Sequence, residues 1–176
     1  HGRALAGAVS AVLGGPMAPV AGPIRAAYEE TTLTFSAPPS RAAIEKQLAD
    51  PNIYIQRRAR RLLQVLDARG ALPVEYPYPV QVLKFGDGLL MAALAGEVVV
   101  DYSLRLKREL GGKERAWIVG YANDFCAYIP SLRVLKEGGY EGGDAMVYFG
   151  FHGPWTSTVE EDVVAAVHRL AARVKE

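Results

Sequence analysis

Several features are absent or scarce in this chain of 176 residues, and each absence excludes a class of protein. Cys126 is the only cysteine, which excludes an internal disulfide and a cysteine-rich zinc site. The three histidines, His1, His152 and His168, lie too far apart in the sequence to form a metal site by themselves. No apolar run reaches the roughly 20 residues that a transmembrane helix needs. The sequence therefore predicts a protein that folds without disulfides and does not span a membrane as a helix.

Motifs for several common chemistries are also missing. The glycines form neither a phosphate-binding loop nor a complete dinucleotide fingerprint, which argues against nucleotide binding. The chain has no nucleophile elbow and no HExxH motif, so it carries no self-contained hydrolase triad or zinc-protease site. A formal net charge of +1 gives no electrostatic reason to expect a nucleic-acid partner.

The composition is that of a globular domain. Half of the residues are hydrophobic and 22% are charged, and 176 residues can bury a substantial core. The N-terminal residues 3–22 resemble a signal peptide slightly, but Leu5, Val9 and Leu13 recur every four residues and favour an amphipathic helix. We expect either a single domain over 1–176 or a fragment of a longer protein.

Apolar periodicity and turn residues predict alternating helices and strands. Asp50 and Pro51 suggest a helix start, and Ser157 with Glu160 suggests a capping box. A glycine-rich hairpin turn is predicted at 86–88. The predicted helices are 2–13, 40–48, 50–68, 98–110, 131–137 and one from 157 onward. The predicted strands are 23–36, 80–85, 89–95, 115–123 and 145–151. Residues 72–79 are predicted to form a proline-broken connector. This order predicts an α/β fold with a mixed β-sheet flanked by helices.

A basic cluster is formed by Arg57, Arg58, Arg60 and Arg61. It could meet phosphate or an anionic lipid surface, but few aromatics lie nearby. We therefore expect a solvated helix face whose arginines pair with carboxylates.

The cysteine and two of the histidines are expected to be structural. A lone cysteine such as Cys126 is usually a packing residue. His168 lies in the predicted terminal helix, on its surface or in its packing. His152 lies in a predicted turn, where a structural hydrogen bond is the ordinary role of a histidine.

Glu97 follows a predicted buried strand and a glycine. This is where α/β proteins often place ligands, although a carboxylate stabilising a helix N-terminus explains it equally well. Asn123, Asp124 and Tyr128 follow the next predicted strand and could reach the same edge of the sheet. The spacing alone leaves a functional cleft and a structural loop both open.

Two segments then point to a known family. "LAGEVVVDYSLRLKREL", followed by "WIVGYANDFCAYIPSLRVLKEGGYEGG", resembles the C-terminal part of the catalytic domain of the neutral/alkaline, non-lysosomal ceramidases. The resemblance is most specific over residues 86–143. It implies a zinc-dependent amidohydrolase that cleaves the N-acyl amide bond of ceramide, and a chain that is part of a larger ceramidase-like catalytic domain.

The resemblance also implies roles for three residues. Glu97 and Tyr128 fall on two of the four zinc ligands, and Tyr140 falls on a tyrosine that stabilises the oxyanion. The two histidine ligands of the family belong to upstream segments that have no counterpart here. We therefore expect the upstream part of the same protein to complete the site, and the isolated chain to be inactive and to bind zinc weakly.

The sequence departs from the family around the site. Ala95 replaces a proline, Val98 and Val99 replace phenylalanine and threonine, and Pro130-Ser131 replaces a pair of threonines. These changes leave the substrate open between ceramide, a related N-acyl lipid and another amide. The family implies a secreted, periplasmic or cell-envelope protein that could contact a membrane surface. The alternatives are a non-catalytic lipid- or envelope-binding relative and a general α/β domain with a structural loop.

Overall fold

The structure is a computed structural model that describes residues 1–175. The strands are β1 (Ile24–Thr34), β2 (Glu75–Phe85), β3 (Leu89–Leu94), β4 (Glu97–Val98), β5 (Ala116–Val119) and β6 (Tyr128–Ile129). The helices are α1 (Gly2–Leu13), α2 (Arg41–Lys46), α3 (Ile53–Arg69), α4 (Val100–Glu109), α5 (Leu132–Glu137), α6 (Met146–Phe149) and α7 (Val159–Arg173). A short 3₁₀ turn follows α2, and a wide helical turn over residues 140–144 precedes α6.

The main sheet is mixed, with the strand order β1-β2-β3-β5. β1, β2 and β3 are antiparallel neighbours, and the predicted turn at 86–88 joins β2 to β3. β5 returns parallel to β3 after the crossover through α4. The prediction of an α/β fold with a mixed sheet is confirmed.

The two faces of the main sheet differ in their surroundings. α7 packs on β1 and β2, and the core lies between this helix and one face of the sheet. On the other face, Ala26, Leu83, Met91 and Trp117 form a continuous cross-strand row. Trp117 is 57% exposed, and Leu83 and Met91 are only half-buried. This second face is apolar and partly open to solvent.

Ion pairs link α4 to α7 over the core. The Arg105 guanidinium contacts Glu160 at 2.8 Å and Glu161 at 2.5 Å, and it also binds Glu109 at 2.9 Å on its own helix. Glu109 in turn lies 2.7 Å from the Nε2 of His168. His168 therefore serves in helix–helix packing at the surface, as predicted.

Helix α1 stands apart from the core. It forms over the predicted residues, but none of its side chains is buried. Across residues 1–175, no helix combines the length and apolar character needed to cross a membrane.

The predicted connector over 72–79 is wrong, because most of it belongs to β2. Pro77 and Pro79 pair with Thr32 and Glu30 of β1. The pairing of β2 with β3 begins only at Val80, so the prolines lie where β2 has no hydrogen-bonded strand on its second side. A proline is tolerated there because no ladder needs its missing N–H.

Two predicted helix starts are also wrong. Helix α3 begins at Ile53 with Asn52 as its cap, and the Asn52 side chain accepts a hydrogen bond from the Tyr54 N–H at 2.9 Å. Helix α7 begins at Val159, and no capping box forms at Ser157. The Glu160 carboxylate is engaged by Arg105 and by the backbone N–H of Leu132 instead.

The prediction of a strand over 145–151 is wrong, and the predicted basic face of α3 is exposed at Arg57, Arg60 and Arg61 but does not pair with carboxylates among the described residues. The segment predicted as a strand over 145–151 forms α6, because a backbone bond from the Ala145 N–H to the Tyr140 carbonyl starts a helical turn. The arginines of the basic cluster form no salt bridge within residues 1–175. Arg58 and Arg60 instead donate to Gln47 and Gln56.

Candidate active site

Glu97 and Tyr128 lie directly opposite one another. They pair in register where β4 and β6 form a short parallel ladder, with Val98 opposite Ile129. The Glu97 N–H donates to the Ala127 carbonyl at 2.9 Å. Two residues that are 31 positions apart in the sequence are thus held as neighbours by backbone bonds.

Gly96 makes this close approach possible. Its φ is +63°, in the left-handed region that favours glycine. A side chain at this position would place its Cβ 2.4 Å from the Ala127 oxygen and 3.2 Å from the Cys126 sulfur. The glycine that precedes the carboxylate is therefore required for its register with Tyr128.

Three buried aromatic donors fix the backbone around the pair. The Tyr78 hydroxyl donates to the Ala95 carbonyl at 2.7 Å, and the Tyr102 hydroxyl donates to the Pro130 carbonyl at 3.1 Å. The indole N–H of Trp155 donates to the carbonyl of Tyr128 itself at 2.9 Å. Each bond satisfies a carbonyl in the low-dielectric interior, so the segments that carry Glu97 and Tyr128 are held rigidly.

Two tyrosines interact with the Glu97 carboxylate. The pKa of Tyr128 is raised to about 12, mainly by hydrogen bonding to Glu97. Desolvation of the phenol and the Glu97 charge raise this pKa further. Hydrogen bonding to Glu97 also raises the pKa of Tyr121 above its ordinary value. Both phenols therefore keep their protons at neutral pH.

The backbone around Tyr121 is unusual. Tyr121 and Asn123 both have positive φ angles, of 57° and 68°. Such conformations are costly for residues other than glycine and cluster at functional sites. Backbone bonds from the N–H of Tyr121 to Gly96 and from Ala122 to Leu94 hold this loop against β3 and β4.

Tyr140 completes the cluster from a different part of the chain. Its ring centroid lies 5.4 Å from that of Tyr128, edge to face. Gly138 and Gly139, with φ angles of 73° and 71°, make the sharp turn that brings it there. Tyr140 is 48% exposed, so its side chain is open to a ligand.

The structure thus brings together all three residues that the family resemblance singled out: Glu97, Tyr128 and Tyr140. Asn123 and Asp124, which were predicted to be able to reach the same edge of the sheet, form hydrogen bonds with residues outside this cluster. The Asp124 carboxylate accepts from the Tyr76 hydroxyl, and Asn123 donates to Gln81.

Cys126 is buried next to this cluster, and its role is packing. Its thiol pKa is raised to about 11, mainly by desolvation. A thiol in this state is not a nucleophile at neutral pH.

The histidines lie outside the cluster. The Nε2 of His152 is 3.0 Å from the Pro73 carbonyl, which is the structural hydrogen bond expected of it, and His168 binds Glu109. No group of three or more histidine, cysteine, aspartate or glutamate side chains that could hold a metal occurs in the described part of the chain. Glu97 and the phenol of Tyr128 are oxygen donors that fit one half of a four-coordinate zinc site.

Sequence reasoning missed two features of this region. Tyr121 was not singled out, although it stands in the segment that carries the family resemblance. A row of tyrosines was also missed, in which Tyr148 lies 6.0 Å from Tyr140 and 4.9 Å from Tyr54 between ring centroids. These contacts join α3 to the distant segment that carries Tyr140 and Tyr148, so no sequence pattern could have revealed them.

The comparisons with known proteins include a distant match to a solved structure. No protein-family model and no curated protein sequence matches this chain. The chain is similar to a solved structure described as "Ceramidase complexed with C2", with 14% sequence identity and a TM-score of 0.41. The match covers 86% of this chain and 31% of that one, so this chain spans about a third of the length of the ceramidase structure.

Proposed function

We propose that this chain is part of a zinc-dependent amidohydrolase that cleaves the N-acyl amide bond of ceramide or a related N-acyl lipid. The observation that carries the proposal is the in-register pair of Glu97 and Tyr128, with the Tyr140 ring 5.4 Å from that of Tyr128. The pair joins the carboxylate and the phenol that the ceramidase resemblance assigns to the metal. Tyr140, the expected oxyanion donor, contacts the Tyr128 ring.

Each residue has a distinct role in this proposal. Glu97 and Tyr128 hold the metal, and Tyr121 lies close enough to the Glu97 carboxylate for this carboxylate to raise the pKa of the Tyr121 phenol. When bound, zinc supplies a Lewis acid and lowers the pKa of water. The exposed Tyr140 hydroxyl donates a hydrogen bond to the amide carbonyl oxygen as negative charge develops there.

The rest of the site is proposed to come from upstream sequence of the same protein. Two donors are too few for tight zinc binding, since structural and catalytic zinc sites use three or four protein ligands. The open apolar face of the sheet supports the presence of a further part of the domain, because exposed rows that contain a residue such as Trp117 commonly mark interfaces. A secreted or cell-envelope location, with contact to a membrane surface, belongs to the same proposal.

The proposal is tested on the full-length protein with a fluorescent N-acylsphingosine and a panel of other N-acyl amides. We expect Glu97→Gln and Tyr128→Phe to lose activity together with bound zinc, measured by metal analysis. Tyr140→Phe should retain zinc and lose about 10²- to 10³-fold in kcat, as for removal of an oxyanion donor. This difference separates metal ligands from the residue that contacts the substrate.

Tyr28→Phe is the matched control, because Tyr28 is an exposed tyrosine of β1 whose hydroxyl donates to the Glu30 carboxylate on the same strand. It should behave as the wild type in both assays. Unchanged turnover and zinc content in Glu97→Gln and Tyr128→Phe would refute the ligand assignment. A full-length protein that binds N-acyl lipids without zinc or turnover would favour a non-catalytic lipid-binding module.

A further inference from the structure

A row of tyrosines runs from the candidate active site to helix α3. The ring centroid of Tyr140 lies 5.4 Å from that of Tyr128 and 6.0 Å from that of Tyr148, and Tyr148 lies 4.9 Å from Tyr54. Tyr140, Tyr148 and Tyr54 are each about half exposed, at 48%, 51% and 47%. The row therefore presents phenol rings to the solvent from the candidate site as far as α3.

A hollow of about 260 Å³ lies at the far end of this row, between α3 and α6. Tyr54 and Tyr148 line it together with three arginines, Arg57, Arg58 and Arg61. No carboxylate of the described residues lines it. The hollow thus combines positive charge with aromatic rings.

Two of these arginines are exposed and available to an external anion. The Arg57 guanidinium lies over the Tyr54 ring, 6.0 Å from its centroid. Arg61 packs against Gly150, where an added Cβ would lie 3.0 Å from the Arg61 Cδ and 3.3 Å from its Nε, so the glycine makes room for this side chain. Arg57 and Arg61 form no salt bridge within residues 1–175, and both are exposed.

The nearest opposing charges lie outside the hollow. Asp144 lines the neighbouring hollow, and the charge of Asp50 acts on Arg58. Neither carboxylate lines the hollow that holds Arg57 and Arg61. An excess of positive charge therefore remains where the two exposed arginines lie, and it favours an anionic partner.

The residue types identify the kind of anionic partner. Tyrosines are enriched at the membrane–water interface, because the ring is apolar and the hydroxyl is polar. Exposed arginines beside them attract anionic lipid headgroups. A formal net charge of +1 gives the chain no long-range attraction for a nucleic acid, and a free anion would not need a row of exposed rings.

We propose that the surface formed by Tyr54, Arg57, Arg61, Tyr140 and Tyr148 docks on an anionic lipid bilayer. Lipid phosphates meet Arg57 and Arg61 at the hollow, and the phenol rings lie among the headgroups. Tyr140 is then held at the bilayer interface, where the polar amide of an N-acyl lipid meets water. The placing of the catalytic residues at the bilayer rests on the proposed function, whereas the docking itself needs neither zinc nor turnover.

The test is the sedimentation of the 176-residue chain with vesicles of phosphatidylcholine, with and without added phosphatidylglycerol. We expect saturable partitioning only onto the anionic vesicles. Replacing Arg57 and Arg61 together by glutamine should weaken it by about fivefold for each arginine, or about 25-fold for the pair. Replacing both by lysine should restore most of the binding, because the attraction depends on the charge. Spin-labelled lipids should broaden the ring resonances of Tyr54 and Tyr148.

The matched control replaces Arg25 and Arg108 together by glutamine. Both are exposed and neither lines the hollow, and the net charge changes by the same amount. This variant should bind anionic vesicles as the wild type does. No substrate is present, so failure of this test leaves the amidohydrolase proposal standing, and an inactive full-length enzyme leaves the docking standing.

Four results would overturn the proposal. The first is equal partitioning onto neutral vesicles, which would assign binding to an apolar surface such as that of α1. The second is an equal loss in the two glutamine pairs, and the third is a lysine pair that binds as poorly as the glutamine pair at Arg57 and Arg61. The fourth is displacement by inorganic phosphate at an ionic strength where sodium chloride has no effect, which would identify a site for free phosphate.

Discussion

Replacing Gly96 with alanine tests whether the left-handed backbone and close approach at this position fix the register of Glu97 with Tyr128. Gly96 has a φ of +63°, and an added Cβ would lie 2.4 Å from the Ala127 oxygen. The Ala127 carbonyl accepts the hydrogen bond from the Glu97 N–H that holds β4 against β6. The substitution therefore strains the backbone and displaces the partner strand at the same point.

The expected loss of stability follows from these two effects. A left-handed conformation costs an alanine about 1–2 kcal/mol. A contact under 3.0 Å with a backbone atom cannot persist, so the Ala127 carbonyl must move, and the loss of its hydrogen bond costs about 0.5–1.5 kcal/mol more. We expect Gly96→Ala to lower the free energy of unfolding by the sum of these costs, about 1.5–3.5 kcal/mol.

Gly70→Ala provides the matched control. Gly70 also has a positive φ, of +74°, but an added Cβ would meet no atom within 4 Å. It should therefore cost only the backbone strain, about 1–2 kcal/mol. Urea unfolding with linear extrapolation measures both variants. If Gly96→Ala is no more destabilising than Gly70→Ala, the argument that close approach at Gly96 sets the register is refuted.

Three further predictions concern single groups and helix α1. Glu97 raises the pKa of Tyr128 to about 12, so Glu97→Gln should lower the pKa of Tyr128 toward 10.0. The raised pKa contributes to the stability of the fold, and this contribution is fully present below pH 10.0 and is lost as the pH rises to about 12. Tyrosine ring NMR follows the titration, and an unchanged pKa in the variant would contradict the assignment. Cys126 has a pKa of about 11, so it should resist iodoacetamide near neutral pH until the protein is unfolded. Mass spectrometry measures this labelling, and rapid labelling of the native protein would disprove the burial of Cys126. Deleting residues 1–18 should change the free energy of unfolding by less than about 0.5 kcal/mol, since α1 buries no side chain, and a larger loss in urea unfolding would reveal a packing role.

Most helices and strands were predictable because their determinants are local. Ser40 and Ser131 cap α2 and α5 as hydroxyl residues at these positions commonly do, and Gly70 ends α3 in a left-handed conformation. The hairpin turn predicted at 86–88 joins the antiparallel strands β2 and β3. Each of these features depends on a few neighbouring residues.

The failed predictions depend on distant partners. Pro77 and Pro79 fit in β2 only because β3 has ended its pairing before it reaches them, which no local pattern shows. Glu160 suggested a capping box, but Arg105 engages its carboxylate from a helix 55 residues away in the sequence. Tertiary contacts override local propensity in both cases.

The α/β class, the packing role of Cys126 and the surface or packing role of His168 followed from the residues alone. The resemblance to a known family singled out Glu97, Tyr128 and Tyr140. That these three residues meet, and that Tyr121 lies beside them, became visible only in the folded chain. The physical reason is that secondary structure follows from neighbouring residues, whereas a site requires side chains from distant segments to be fixed by packing. Here Gly96, Trp155 and two buried tyrosines fix the candidate active site.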